Sequence, residues 1–376
     1  MNICIYETEH FETAYSLIQL FDQPKNKITI LTNQACFAQF EHLLRSELDH
    51  YNWIIEEANG TRFRRFRNLY SQLKRQKPGL LYLNTVSNNH FLFAGLLWLL
   101  PATRTILTVH DINCLFQPRV SFHIHSWIRY IGKKWLTSQV SIFNVISETM
   151  TPYLQKKIRG NKKIYSLPGG IYKGGSRILE IMDHIHLVIP GSIEKKRRNY
   201  HDVIKLIEEA EQMKLRLKIT LLGGIKDEYG KSILNQISRL RLSSVTVKIY
   251  ETNEVPQGEF DGQLESSHFL FIPSVIETIV CENIPEVYGI TKSSGNIFDA
   301  IRHGKPFIVP FGLSVPTNIE TSCLLYKDIT ELVTILNGYF QTPGRYLDIR
   351  NKAISNSGNY RVEKIRLKYP ELFSAT

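Results

Sequence analysis

Short apolar runs alternate with longer segments of helical period along the whole chain, and this order constrains the fold more than any other feature. Each run is rich in Ile, Val, Leu and Tyr, which is typical of a buried strand. Strands that alternate with helices predict βαβ units and a mostly parallel sheet. The first series of runs is NICIY at 2–6, KITILT at 27–32, GLLYLN at 79–84, RTILTVH at 104–110, SIFNVIS at 141–147 and KIYSLPGG at 163–170.

The pattern restarts after LPGGIYKGGSR. The second series is HLVIPGS at 186–192, KITLLGG at 218–224, VTVKIY at 245–250, HFLFIPS at 268–274 and PFIVPFG at 306–312. At 376 residues the chain is long enough for two cores. The sequence therefore predicts an α/β protein of two Rossmann-like domains, 1–175 and 184–342, with a helical segment at 343–376 that packs back over the first domain. Ligands of such sheets bind outside the carboxyl ends of the strands, so we expect a cleft between facing strand ends.

The formal net charge of +11 is concentrated in the first half of the chain, where residues 1–180 hold 22 Lys and Arg against 12 Asp and Glu. Aromatic residues lie among these cations. Such a surface suits an anionic membrane or a polyanion, although charge on a helix is more often a solvated face. The residues that we expect to contact a membrane or an acceptor are Arg62, Arg64, Arg65, Arg67, Trp127, Lys133 and Lys134.

Other global features limit the class of protein. The five cysteines are scattered and form no CxxC pair, which favours neither a disulfide framework nor a zinc site. MNICIYETEHF lacks the features of a signal peptide, and the apolar run FLFAGLLWLLP at 91–101 is too short to span a membrane, so a buried core helix is favoured there. We therefore expect a cytoplasmic protein, with the inner face of the membrane as its peripheral binding surface.

The segment EVYGITKSSGNIFDAIRHGKPFIVP, at 286–310, predicts a loop, a helix, a turn and a strand. Ser293, Ser294 and Gly295 fall at the junction of loop and helix. Backbone N–H groups and the positive end of the helix dipole favour an anion such as phosphate there, whereas an ordinary N-cap is the simpler alternative. Asp299, one turn into the helix, is placed to accept hydrogen bonds from a ribose.

Two further strand ends in the second half suit a diphosphate, which needs backbone donors and fixed cations. After LVIP, Gly191 and Ser192 free the backbone and a run of cations follows. The next strand ends in Gly223 and Gly224, which permit close backbone approach. The cations of the run are Lys195, Lys196, Arg197 and Arg198.

In the first half the best candidates for chemistry are His110 and Asp111, in TVHD at the carboxyl end of a strand. A histidine there can donate to a developing negative charge or orient a sugar hydroxyl, and a neighbouring carboxylate can hold its tautomer. A structural histidine is the more common case. The residues that end other strands in a similar way are Glu7, Asn84, Thr85 and Glu148.

Together these motifs resemble the GT-B glycosyltransferases, and more narrowly the retaining nucleotide-sugar transferases of bacterial surface-polysaccharide assembly, glycosyltransferase family 4. The resemblance rests on TVHD, LPGG, IPGSIEKKRRNY, LLGG and the segment 286–310. It implies that the second domain binds a nucleoside-diphosphate sugar, with Arg198 and either Lys195 or Arg197 on the diphosphate and Tyr288 in the same pocket. It also implies a pair of carboxylates, for which Asp299 replaces the second glutamate. Glu286 or Glu282 would be the first, although the inserted KSSGN lengthens their spacing to Asp299.

Read as chemistry, this resemblance predicts that cations and a helix dipole stabilise the diphosphate leaving group. The acceptor hydroxyl would attack from the first domain, with domain closure excluding water. No metal and no cofactor are expected, because the cations already neutralise the charge.

The sequence also bears on other functions. An NAD-dependent oxidoreductase is disfavoured because the first strand leads into YETEHFETAYS, which contains no glycine. A nucleic-acid binder is disfavoured because no recognition motif accompanies the basic half. A nucleotide-sugar epimerase of the same fold and an inactive transferase-like scaffold stay open.

Overall fold

The computed structural model describes residues 1–56, 61–117, 119–120, 122–250 and 255–373, without the side chains of 280 and 281. The chain forms two compact units. The first comprises Met1–Gly169, Ile279–Ser293 and Val362–Thr376, and the second comprises Gly170–Thr278 and Ser294–Arg361. Each unit contains one parallel sheet.

The first unit is built on a seven-stranded sheet whose strands pair in parallel. Its strands are β1 (Asn2–Tyr6), β2 (Lys27–Asn33), β3 (Asn52–Glu56), β4 (Leu80–Leu83), β5 (Arg104–Thr108), β6 (Ile142–Asn144) and β7 (Lys163–Tyr165). Its first helices are α1 (Phe11–Phe21), α2 (Gln34–Leu44), α3 (Arg62–Gln76), α4 (His90–Leu99), α5 (Ile112–Phe116), α6 (Ile124–Gln139) and α7 (Thr151–Lys157). The strand order β3-β2-β1-β4-β5-β6-β7 reverses direction between β1 and β4, which is where doubly wound sheets bind ligands.

The second unit repeats this plan. Its strands are β8 (Ile185–Pro190), β9 (Leu217–Leu222), β10 (Val245–Ile249), β11 (Phe269–Phe271), β14 (Phe307–Pro310) and β15 (Cys323–Tyr326). Its helices are α8 (Tyr200–Gln212), α9 (Glu228–Ser238), α10 (Gln257–Glu265), α11 (Gly295–Arg302), α12 (Ile329–Gln341) and α13 (Pro343–Ser357). The order β10-β9-β8-β11-β14-β15 places the switch point between β8 and β11.

Two segments return to the first unit. A two-stranded sheet, β12 (Glu277–Cys281) and β13 (Ile284–Val287), is joined by Glu282 and Asn283, which both have positive φ. This is the backbone of a tight type I′ hairpin. The last helices are α14 (Val362–Lys368) and α15 (Pro370–Phe373), and the Arg366 guanidinium of α14 donates to the backbone carbonyls of Gln19 and Leu20.

The segment 286–310 contains the predicted loop, helix, turn and strand in the predicted order. Helix α11 follows the Ser-Ser-Gly sequence, Gly304 turns the chain with a φ of +57°, and β14 is buried as far as Val309. The loop before the helix also contains β13, which the sequence pattern did not predict. The segment expected at 343–376 divides, since α13 lies in the second unit and only 362 onward in the first.

The apolar run at 91–101 forms most of α4. Phe93, Ala94 and Leu96 are buried in the first core, as expected for a core helix, whereas Phe91 and Trp98 are exposed. Throughout the described residues, no helix combines the length and apolar character that crossing a membrane requires.

Candidate functional site

Arg198 lies at the carboxyl edge of the second sheet, in the loop that follows β8. Its guanidinium donates to the backbone carbonyl of Ser192 at 2.9 Å and to the side-chain oxygen of Asn296 at 3.0 Å. Only 8% of Arg198 is exposed, and its Nε has no hydrogen-bond partner among the described residues. A buried guanidinium with an unpaired N–H donor is suited to binding an anion.

Two glycines allow the loops after β8 and β9 to meet at this arginine. Gly191 has a φ of +92°, and a Cβ at this position would lie 2.0 Å from Nη2 of Arg198. A Cβ at Gly223 would lie 2.2 Å from the carbonyl carbon of Gly191. The loops therefore pack backbone against backbone, and the N–H of Ile193 donates to the carbonyl of Gly224 at 3.0 Å.

The amino terminus of α11 lies beside Arg198, because Asn296 is the second residue of that helix. The Ser294 side chain makes no capping hydrogen bond, and a Cβ at Gly295 would meet no atom within 4 Å. Asn296 also donates to Asp299 at 3.3 Å, and Arg302 donates to Asp299 at 3.1 Å. Asp299 is therefore already held by protein donors at the position where the sequence predicts a ribose contact.

The remaining cations of the run are exposed. Lys195 and Lys196 are exposed, and Arg197, half of whose side chain is exposed, forms an ion pair with Glu194 at 3.2 Å. Their backbone is fixed against the loop after β11, where the N–H of Val275 donates to the carbonyl of Arg197 at 3.1 Å. Arg198 thus differs from its neighbours in burial.

The predicted site residues are divided between the two units. Gly191, Ser192, Arg198, Gly223, Gly224, Ser294, Gly295 and Asp299 all belong to the second unit. Glu286, Tyr288 and Ser293 belong to the first unit. The physical reason is the hairpin that contains Glu286. It belongs to the first unit, although the segments before and after it in sequence belong to the second unit.

At the carboxyl edge of the first sheet, buried polar groups form a connected cluster. Glu7 follows β1 and is fully buried, and its carboxylate accepts hydrogen bonds from the Asn84 amide and from the Thr85 hydroxyl, the latter at 2.8 Å. Nε2 of His110 lies 2.8 Å from the carbonyl oxygen of Asn84 and 3.3 Å from Oγ1 of Thr85. The ends of β1, β4 and β5 therefore meet at one place.

The environment of His110 fixes its protonation. Because a carbonyl only accepts, Nε2 must donate to Asn84, which leaves Nδ1 as the basic nitrogen of a neutral ring. Burial, together with the nearby charge of His10, holds the pKa of His110 well below its usual range. The two rings stack with centroids 4.6 Å apart. Sequence reasoning missed His10, although it lies in the TEHF stretch directly after β1.

Asp111 and Glu286 are both held by residues of the first unit. Asp111 pairs with Lys292 at 2.5 Å, and Oε1 of Glu286 accepts from the backbone N–H of Cys114 at 2.7 Å. Glu286 is fully buried, and burial raises its pKa to about 7. Glu286 therefore binds the first turn of α5. Lys292 was not predicted, although it lies in the inserted KSSGN.

Lys133 is not on the surface, contrary to the sequence-based expectation. It is 1% exposed, and its ammonium donates to the carbonyl of Cys114 at 2.8 Å and to Glu282 at 2.7 Å. Glu282 also pairs with Arg129 at 3.3 Å. Cys114 is itself disulfide-bonded, which the scattered cysteines did not predict.

Two cavities adjoin this edge. A cavity of about 120 Å³ is lined by His110, Asp111 and Thr85. A larger one of about 520 Å³ is lined by Arg62 and Arg65, and it shares Glu9, Thr85, Val86 and Ser87 with the smaller. Within the described ranges, no three His, Cys, Asp or Glu side chains are grouped to hold a metal ion.

The chain matches no family profile and no curated protein, but solved structures share its fold. Sucrose-phosphate synthase from Thermosynechococcus elongatus superposes with a TM-score of 0.64 at 13% identity, with 100% of both chains covered. A glycosyltransferase from Rickettsia africae ESF-5 gives 0.67 at 10% identity, covering 99% of this chain and 97% of that one. UDP-GlcNAc 2-epimerase from Neisseria meningitidis, bound to UDP-GlcNAc, gives 0.55 at 12% identity, with 100% of both covered.

These similarities define the class of fold. The chain consists of two Rossmann-like α/β units, each with a polar site at its switch point. It has the GT-B fold, as the sequence predicted.

Proposed function

We propose that this protein is a glycosyltransferase that moves a sugar from a nucleoside-diphosphate sugar to a hydroxyl of a glycan or lipid-linked acceptor. The single observation that carries the proposal is the buried Arg198 guanidinium, bound to the first turn of α11 through Asn296. The biological setting, synthesis of a surface polysaccharide or lipopolysaccharide in the cytoplasm, comes from the family resemblance, and so does retention at the anomeric carbon.

The donor would bind to the second unit. Its diphosphate carries the charge that Arg198 and the amino-terminal N–H groups of α11 can stabilise, because a charged guanidinium and a helix dipole act together there. Lys195 and Arg197, which are both exposed, are the flanking cations of this proposal. These groups neutralise the leaving group without a metal ion.

The acceptor would bind to the first unit, in the cavities beside His110. The larger cavity has hydrogen-bonding side chains from Asn33, Ser87 and Asn88 as well as two arginines, which suits a polar, hydroxyl-rich ligand. The smaller cavity is lined by His110 and Asp111.

In the proposed reaction, the bond between the anomeric carbon and the outer phosphate oxygen breaks, and the nucleoside diphosphate departs with the electron pair. The acceptor oxygen forms the new bond to the anomeric carbon. Its proton passes to the departing phosphate or to Nδ1 of His110, the ring nitrogen that carries no proton. Asp111, held by Lys292, is the neighbouring carboxylate.

The resemblance also assigns a catalytic glutamate, with Glu286 and Glu282 as the two candidates. Glu286 is enclosed in the first unit and binds a backbone N–H, while Glu282 lies between Lys133 and Arg129. We therefore propose that Glu286 acts by positioning α5, which begins directly after Asp111, and that Glu282 compensates the charge of Lys133.

A nucleotide-sugar epimerase is the second candidate, favoured by the structural similarity to an enzyme bound to UDP-GlcNAc. A panel of nucleoside diphosphates and nucleotide sugars, screened by thermal shift, identifies the donor, since a ligand of the folded state raises the melting temperature. The labelled donor is then incubated with the protein alone and with candidate acceptors.

Transfer of label that depends on an acceptor supports the transferase. Interconversion of the sugar without an acceptor supports the epimerase. Nucleotide binding with neither reaction points to an inactive scaffold, and the absence of any nucleotide binding overturns the proposal.

A further inference from the structure

The exposed face of α6 has the residue pattern of a buried helix face. Ile124, Trp127, Ile128 and Ile131 fall at i, i+3, i+4 and i+7, so they form one stripe along the helix. Between 48% and 67% of each of these residues is exposed. The adjacent side of α6, with Gly132 and Leu136, is buried. This helix therefore has two apolar faces, and only one of them is used in the core.

Helix α4 extends the stripe. A Cβ at Gly132 of α6 would lie 2.6 Å from the backbone nitrogen of Phe91, and the rings of Phe91 and Trp135 meet at 5.0 Å. The helices are thus in close contact along this side. Trp98 lies seven residues after Phe91, on the same side of α4, and is 63% exposed. We call this continuous surface the α4–α6 face; its members are Phe91, Trp98, Ile124, Trp127, Ile128, Ile131 and Trp135.

The charges around the α4–α6 face have one sign. Residues 58–147 contain twelve Lys and Arg but only one acidic residue, Asp111, which is paired with Lys292. Among the described residues, Glu282 forms ion pairs with α6, where it is bound by Lys133 and Arg129. Lys134 is exposed beside the stripe, and Arg62 and Arg65 line a cavity together with Leu92 of α4.

We propose that the α4–α6 face docks on an anionic phospholipid bilayer, with its apolar stripe in the headgroup region and its cations on the lipid phosphates. Three of the four tryptophans in the chain lie in this face. Tryptophan is enriched at interfaces between an apolar medium and water, and exposed cations beside it favour binding to an anionic surface. The proposal does not depend on the donor site, which lies in the other unit.

The test measures partition of the full chain to vesicles of phosphatidylglycerol and to vesicles of phosphatidylcholine. Tryptophan emission reports docking directly, because the exposed Trp98 and Trp127 would move into a less polar medium. We expect binding and a blue shift with phosphatidylglycerol, both weakened by added salt, and little binding to phosphatidylcholine.

Two pairs of variants locate the surface. Ile128→Asp should weaken partition by about tenfold or more, whereas Leu367→Asp, at a residue of α14 that is 74% exposed, should not. Lys134→Glu should weaken partition by about tenfold at low salt, whereas Lys352→Glu on α13 should not. Nucleotide binding should be equal in all four, which shows that they fold.

Other results overturn the proposal. One is no partition of the native protein to phosphatidylglycerol vesicles, and another is equal partition of Ile128→Asp and the native protein. A third is the loss of a self-associated state in Ile128→Asp without any vesicle binding, which would identify the face as a contact between copies of the chain. Failure here leaves the glycosyltransferase proposal intact, because that proposal is tested by nucleotide binding.

Discussion

Arg198 and Asn296 are ninety-eight residues apart in sequence, yet a 3.0 Å hydrogen bond joins their side chains. The bond connects the loop after β8 to the first turn of α11. Gly191 and Gly223 bring a third loop to the same place. A cation, a helix terminus and closely packed backbone therefore converge at one switch point. The predictions below test this convergence and the site in the first unit.

The first concerns Arg198. Replacing it with Ala should weaken binding of a nucleoside diphosphate by about 1.5–3 kcal/mol, as expected for loss of a charge-assisted hydrogen bond. Calorimetry measures the change. Arg197→Ala is the matched control, because Arg197 is half exposed and pairs with Glu194, and it should have a smaller effect. Equal affinities of the native protein and Arg198→Ala would contradict the assignment.

The second concerns Gly223, where an added methyl group would meet the backbone of Gly191. Gly223→Ala should lower the free energy of unfolding by about 2 kcal/mol and weaken nucleotide binding, because the backbone of both loops must shift. Gly262→Ala is the control. A Cβ there meets nothing within 4 Å, so this change in α10 should stabilise the protein by about 0.5–1 kcal/mol. Denaturant unfolding distinguishes the two, and a neutral Gly223→Ala would mean that the loops are not closely packed.

The third prediction separates acceptor chemistry from donor binding. His110→Gln should reduce transfer roughly a hundredfold or more, as for loss of a general base, while nucleotide affinity stays unchanged. His50→Gln, at an exposed position of the same unit, should leave both unchanged. Parallel loss of transfer and nucleotide binding in His110→Gln would indicate a structural histidine.

The fourth concerns the pH dependence of stability. The pKa of Glu286 is raised from 4.5 to about 7, so the folded chain binds this proton more tightly than the unfolded chain does. The resulting stabilisation is complete below about pH 4.5 and is lost as the pH rises through about 7. Glu286→Gln is neutral at every pH and keeps an oxygen for the N–H of Cys114.

Between pH 5 and pH 8, the stability of Glu286→Gln relative to the native protein should therefore rise by on the order of 2 kcal/mol. Denaturant unfolding at both pH values measures this difference. Glu277→Gln, in the exposed part of the same hairpin, should show no such change. If the difference in stability between Glu286→Gln and the native protein did not change with pH, a protonated Glu286 in the folded chain would be excluded.

Much of the fold could be predicted because buried parallel strands are continuous apolar runs. All eleven runs identified in the sequence overlap strands of the two sheets. The strands that were missed are at or near edges or in the hairpin. NWIIE of β3 begins and ends with a polar residue, and CLLY of β15 is only four residues long and partly exposed at the edge of the second sheet. The hairpin turn uses Glu282 and Asn283 instead of the usual Asn-Gly or Asp-Gly.

The candidate site was less accessible to sequence reasoning. The grouping of Gly191, Arg198 and Gly223 follows from the ends of neighbouring strands in one sheet, which sequence can predict. The partners Asn296, Lys292 and His10 could not be found, because their roles depend on contacts between distant segments. Lys133 shows the same limit, since a basic helix does not reveal which of its lysines faces the core.

The hairpin also determines whether a fragment of the gene can encode a complete unit. The backbone passes between the two units four times, at 169–170, 278–279, 293–294 and 361–362. A gene fragment that ends at residue 169 would encode Lys133 without its counter-ion and α5 without the carboxylate that holds its first turn. Neither unit can therefore be expressed intact by a single cut in the gene.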